Sequence, residues 1–186
     1  MPALTEKDLQ DLDFAAQHAD TIGFSFVRST EDVQLLHQHL QKRTTRRIGT
    51  VLKIETKAAF ENLPQLLLAG LQAPPLGVMV ARGDLAVEVG FDRLAEVQEE
   101  ILWLCEAAHV PVIWATQVLE SLTKKGVPSR AEVTDAAMSG RAECVMLNKG
   151  PHVVYAVRFL NNVLERMQEH QQKKRSMLRK LAVSSL

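Results

Sequence analysis

The sequence predicts an α/β fold built on a parallel sheet covered by helices, and three observations carry that prediction. Five short apolar runs, "TIGFSFVR" (21–28), "RIGTVLKIE" (47–55), "LGVMVARGD" (76–84), "VPVIWATQ" (110–117) and "ECVMLN" (143–148), read as strands. Helical patterns long enough for a crossover connection separate each run from the next. The runs are nearly continuous in apolar residues rather than alternating, as strands covered on both faces are. Doubly wound sheets and (β/α)8 barrels both meet this description. The glycine-rich phosphate fingerprint of a dinucleotide fold is missing after the first strand, which favours the barrel.

The elements follow in order. Thr5-Glu6-Lys7-Asp8 forms a capping box that starts a helix reaching about Asp20, where the first strand takes over. Ser29-Thr30-Glu31-Asp32 repeats the device for a helix to about Lys42. After the second strand, Thr56 caps a helix through "AAFENLPQLLLAG", with Pro64 expected to break or kink it. A long helix from Phe91 to His109 follows the third strand, and Ser129-Arg130-Ala131-Glu132 starts another after the fourth. In the last helix Val153, Val157, Leu160, Leu164 and Met167 recur at helical spacing as a packed face. Residues 1–172 are expected to form one domain, and 173–186 a basic tail ("KKRSMLRKLAVSSL") extending the last helix.

Composition narrows the function. The 186 residues carry 22 basic and 22 acidic side chains, so the net charge is zero and a nucleic-acid or membrane-surface partner is not expected. No apolar run reaches membrane-spanning length, and Met1-Pro2-Ala3 leads into charged sequence without a signal peptide. Cys105 and Cys144 sit in apolar segments with no metal-ligand spacing and read as reduced core thiols of a cytoplasmic protein.

Chemistry in such sheets gathers at the carboxyl ends of the strands. Three successive strands end in "KIET", "ARGDL" and "ATQ". Lys53 and Glu55 are two apart and share a face, which is ordinary for a surface strand but also aims a cation and a carboxylate at one spot. Glu55 and Asp84 are oxygen donors on neighbouring strand ends, the ligand type a hard divalent cation takes. Lys53 is placed to neutralise charge developing on a substrate oxygen or to move a proton. Gly83 lets backbone amides approach an anion, Thr116 adds a hydroxyl, and Arg82 is suited to pairing with Glu88 or Asp84 to hold the turn.

Three stretches, "VMVARGDLAVEV", "PVIWATQVLESLTKKGVPSRAEVTDAA" and "CVML", together with "LTEKDLQDLDFAAQHADTIGFSFVRSTEDV", resemble the pyruvate kinase family over about residues 4 to 165. The resemblance implies the carboxyl-terminal half of a (β/α)8 barrel that transfers a phosphoryl group between phosphoenolpyruvate and ADP, giving pyruvate and ATP with Mg2+ or Mn2+. It places the family's catalytic lysine on Lys53 and its metal carboxylates on Glu55 and Asp84. It gives substrate binding to Arg82, the Gly83 and Asp84 amides and Thr116, whose hydroxyl also acts in catalysis. The sequence departs from the family at Ala86 (usually Gly) and Leu52 (usually Ser), and "LNKGPHVV" stands where the nucleotide-side "SGET" loop is expected. The family's earliest barrel strands, with their K+ ligands and phosphate-facing arginine, have no counterpart here, nor do its lid and regulatory domains. A part-barrel leaves open edges, so the expected partner is a second copy or a preceding half-barrel. "LKIETKAAFENLPQLL" also resembles metal-dependent pyruvate-enolate aldolases and lyases, and a ligand-binding remnant without turnover is a third reading.

Overall fold

In a computed structural model that describes residues 3–175, five parallel strands form one sheet in the order β1-β2-β3-β4-β5. They are β1 (Thr21–Phe24), β2 (Gly49–Ile54), β3 (Leu76–Ala81), β4 (Val112–Val118) and β5 (Cys144–Leu147). The spatial order equals the chain order, so there is no switch point at which the winding reverses, and this is the barrel pattern rather than the doubly wound one. Register runs Phe24↔Leu52, Lys53↔Met79, Ile54↔Val80 and Ala81↔Ala115.

The caps form as the sequence predicts. Thr5 with Asp8 opens α1 (Glu6–His18), Ser29 with Asp32 opens α2 (Thr30–Gln41), and Thr56 caps α3 (Lys57–Glu61). The break falls at Asn62, and Pro64 sits in the first turn of α4 (Leu63–Gly70), where its missing N–H is not needed. The third strand is shorter than expected. It ends at Ala81, and Arg82, Gly83 and Asp84 are already the first turn of α5 (Arg82–Val89). The long helix is α6 (Leu94–Ala107).

The chain divides into two compact units: residues 3–116 with Ala142–Met146, and Gln117–Arg141 with 147–175. The core of the first is made by Leu36, Leu52, Ile54, Leu63, Leu66, Leu85, Ile101 and Trp114, each almost wholly removed from water. On the opposite face of the sheet Val51, Met79 and Ile113 remain half-buried. An apolar cavity of about 740 Å3 lies beside the edge strand β1, lined by Leu12, Ala15, Ile22, Phe24 and Leu36.

The second unit holds α7 (Glu120–Lys125), which sequence patterning did not anticipate, α8 (Arg130–Met138), a 3-10 turn (Ser139–Arg141) and α9 (Val153–Arg175). The Ser129–Glu132 box opens α8, and the Glu132 carboxylate also accepts from the Ser121 amide, tying α7 to α8. Helix α9 packs on α7 and α8. Its buried face is carried by Ala156 and Leu160, while Val157 is 53% exposed and is not part of it. The expected basic tail begins inside α9, and residues 176–186 lie outside the described residues.

Of the two cysteines only Cys105 is a core thiol; Cys144 opens the edge strand β5 and is exposed. Both are free. Among the described residues no helix is long and apolar enough to cross a membrane.

Candidate active site

All six residues singled out at the strand ends lie in the first unit, at the carboxyl ends of β2, β3 and β4. They form two groups. In the first, the Lys53 ammonium sits 2.9 Å from Glu55 Oε1 and donates to Ser25 Oγ at 2.8 Å. Strand alternation puts Lys53 and Glu55 on the face opposite Leu52 and Ile54, both fully buried. Glu55 is only 3% exposed, and its other oxygen, Oε2, accepts from the Phe26 amide at 2.6 Å. A carboxylate this deep needs compensation, and it has an ammonium on one oxygen and a backbone N–H on the other.

Phe26 pays for its contact with a φ of 52°, in the left-handed region that bulky side chains rarely enter. Its ring is 57% exposed, so side-chain packing does not account for that backbone, which brings the amide onto Glu55.

The second group joins the start of α5 to the end of β4. Arg82 is buried at 8% exposure, its Nε donating to the Ala115 carbonyl at 2.9 Å and its Nη2 to the Thr116 carbonyl. Its guanidinium lies over the Trp114 ring, 4.8 Å from the centroid. Arg82 thus holds the turn by gripping strand backbone, while the Glu88 carboxylate accepts from the Lys57 amide at the start of α3. The Gly83 amide donates to Thr116 Oγ1 at 2.8 Å. Thr116 and Gln117 have φ of 63° and 58°, and for β-branched Thr116 this is a strained conformation. Asp84 follows in the first turn of α5, exposed to solvent.

The donor set bears on which metal fits. Glu55 and Asp84 offer carboxylate oxygens from adjacent strand ends, and among the described residues no cluster of three or more His, Cys, Asp or Glu exists. Two carboxylates with the remaining positions left to water and ligand suit Mg2+ or Mn2+; they do not suit a structural zinc. Any cation reaching Glu55 shares it with, or takes it from, Lys53.

Sequence reasoning missed Ser25 and the Phe26 amide. Both lie just past the end of β1, and their roles depend on the β1–β2 register, which no local pattern encodes.

The family model for the pyruvate kinase barrel domain matches residues 1–152. A pyruvate kinase of Mycobacterium intracellulare is 38% identical over 170 residues, covering 88% of this chain and 35% of that protein. One of Dictyostelium discoideum is 39% identical over 151 residues, covering 80% and 29%. The plastidial pyruvate kinase 3 of Arabidopsis thaliana is 37% identical over 151 residues, covering 80% and 25%. The chain spans about a third of the length of the first of these relatives.

Proposed function

The chain belongs to the pyruvate kinase family, and from that premise we propose that it carries the lysine- and metal-bearing part of a site for phosphoryl transfer between phosphoenolpyruvate and ADP. The observation that supports this reading most is the Lys53–Glu55 pair, a buried carboxylate and a half-buried ammonium at the carboxyl end of β2, the strand next to the one whose end presents Gly83 and Asp84. In phosphoryl transfer a protein mainly positions groups and stabilises charge. Lys53 meets the charge on the phosphoryl oxygens and on the enolate oxygen left behind. Glu55 and Asp84 hold the divalent cation, which when bound supplies further positive charge to those same oxygens.

The substrate carboxylate is received by the backbone amides of Gly83 and Asp84. In the structure as it stands the Gly83 amide donates to Thr116 Oγ1, so a carboxylate that takes this amide releases the Thr116 hydroxyl beside the ligand. Thr116 is therefore suited to deliver a proton to the enolate. Arg82 acts on the substrate indirectly, by fixing the turn against β4.

Two sheet edges and the cavity beside β1 support a barrel completed by further strands, from a longer protein of which this chain is a part or from a second copy. Potassium, where the family uses it, would be held by residues of such a preceding segment.

The test is a coupled assay of pyruvate release from phosphoenolpyruvate plus ADP against release from 4-hydroxy-2-oxo acids, run on this chain and on its natural reading frame. Release from the oxo acids alone would move the assignment to the aldolase reading. Calorimetry with manganese and oxalate, an enolate mimic, tests the site itself. Equal heats from the wild type and a Glu55→Gln, Asp84→Asn double variant would remove both carboxylates from the assignment.

A further inference from the structure

We propose that Ser25 is a positioning residue that seats the Lys53 ammonium at the point of phosphoryl transfer, an inference that rests on the function proposed above. Lys53 Nζ has two partners with very different futures in that reaction. Glu55 Oε1, at 2.9 Å, is the partner that a divalent cation claims. Ser25 Oγ, at 2.8 Å, carries no charge and does not compete for the cation. When Glu55 turns to the metal, Ser25 keeps the ammonium from swinging toward solvent, on a side chain that has four rotatable bonds and is 27% exposed.

The local architecture is built for this. Phe24 is in register with Leu52, so continuing the parallel pairing by one residue sets Ser25 beside Lys53. One step back on the same face is Gly23, where an added Cβ would lie 3.8 Å from Lys53 Cδ, so the lysine stem crosses the strand over a position with no side chain. One step forward is Phe26, whose left-handed backbone aims its amide at Glu55 Oε2 at 2.6 Å. A single turn thus grips both members of the pair, the ammonium by a hydroxyl and the carboxylate by an amide. Strain at Phe26 accompanies an orientation that serves both contacts. Nothing in the composition of "GFSF" announces this, because a serine at the end of a strand is ordinary.

The test combines two measurements on the chain with Ser25→Ala, Ser25→Thr and Lys53→Met variants. In calorimetry, manganese alone should bind Ser25→Ala within about twofold of wild type, since neither carboxylate is touched. Oxalate binding in the presence of manganese should weaken by roughly tenfold, the size expected for one lost hydrogen bond to a charged group, and Ser25→Thr should restore it. In the Lys53→Met background Ser25→Ala should add nothing. An unchanged oxalate affinity, or an equal loss in that background, would overturn the proposal, because a purely structural serine behaves in the second way.

The other measurement needs no ligand. The Lys53 ammonium resonance, identified by its loss in Lys53→Met, should shift in Ser25→Ala and return in Ser25→Thr; a resonance indifferent to Ser25 would also overturn it. If wild-type protein bound no manganese–oxalate, the failure would lie with the proposed function, and the ammonium resonance would decide alone whether Ser25 seats Lys53.

Discussion

Replacing Lys53 with methionine should reveal what the ammonium does for the fold before any substrate is present. The stem keeps its length and apolar contacts, but Glu55, 3% exposed, loses the cation 2.9 Å away. At that distance and an effective dielectric near 20 the attraction is about 6 kcal/mol. The cost of burying the carboxylate offsets much of this, and the Phe26 amide continues to hold Oε2 in the variant. Breaking a buried pair by deleting one member typically costs 3–5 kcal/mol, and since Lys53 is partly exposed we expect about 3 kcal/mol here. Urea unfolding at neutral pH measures it. Two further results follow from the same electrostatics. Adding Glu55→Gln should recover part of the loss, because the uncompensated charge is gone. Manganese at a hundred times its Kd stabilises by about 2.7 kcal/mol any protein that binds it only when folded, and it should bind Lys53→Met more tightly than wild type, with no ammonium to displace. A variant as stable as wild type, or one that binds manganese no better, would refute the claim that Lys53 and the cation compete for Glu55.

Other consequences can be checked with simple assays. The Asp8 carboxyl is held below its usual range by the Thr5 hydroxyl and then the Thr5 amide, so its contribution is present above about pH 4 and fades as pH falls through the lowered value. Thr5→Ala should cost about 1 kcal/mol near pH 7 and somewhat less near pH 2, where the cap on the Asp8 N–H is still lost but the hydroxyl bond to the ionised carboxylate is already gone, by urea unfolding at both. A thiol reagent at pH 8 should modify Cys144 alone in native protein and both cysteines after denaturation, because burial, then the nearby Glu143, pushes the Cys105 thiol up to about 12. Arg82→Lys should destabilise by about 2 kcal/mol in urea, since an ammonium cannot span the Ala115 and Thr116 carbonyls while stacking on Trp114. A change under 0.5 kcal/mol would show the grip to be incidental.

The parts of the fold that sequence made legible are those set by local chemistry. Thr5–Asp8, Ser29–Asp32 and Ser129–Glu132 announce helix starts because each box satisfies its own backbone donors. The strand cores were equally plain. Boundaries were not: "ARGD" reads as strand, yet α5 begins at Arg82 without an intervening loop, because Arg82 is drawn inward to the β4 carbonyls. Helix α7 carries no such signal, because it is six residues long and bounded by left-handed residues, Leu119 and Gly126, rather than by a side-chain cap. At the site, Lys53 and Glu55 stood out as charges in an apolar strand, whereas Ser25 acquires meaning only from a strand pairing 28 residues away in sequence.

The left-handed backbone of Thr116 has a consequence for how this chain could change over time. A threonine at φ 63° costs on the order of 1–3 kcal/mol that a glycine would not. One substitution would thus make the protein more stable while deleting the hydroxyl that meets the Gly83 amide. Selection for stability and selection for the chemistry proposed for Thr116 would pull position 116 in opposite directions. A copy of the barrel released from turnover has every reason to let the strain go, and a copy that still works has one reason to keep it. Among relatives that have drifted toward mere binding, glycine or another strain-free residue at this position should be among the earliest marks of lost function, ahead of changes in the buried Lys53–Glu55 pair, whose loss the fold would feel at once.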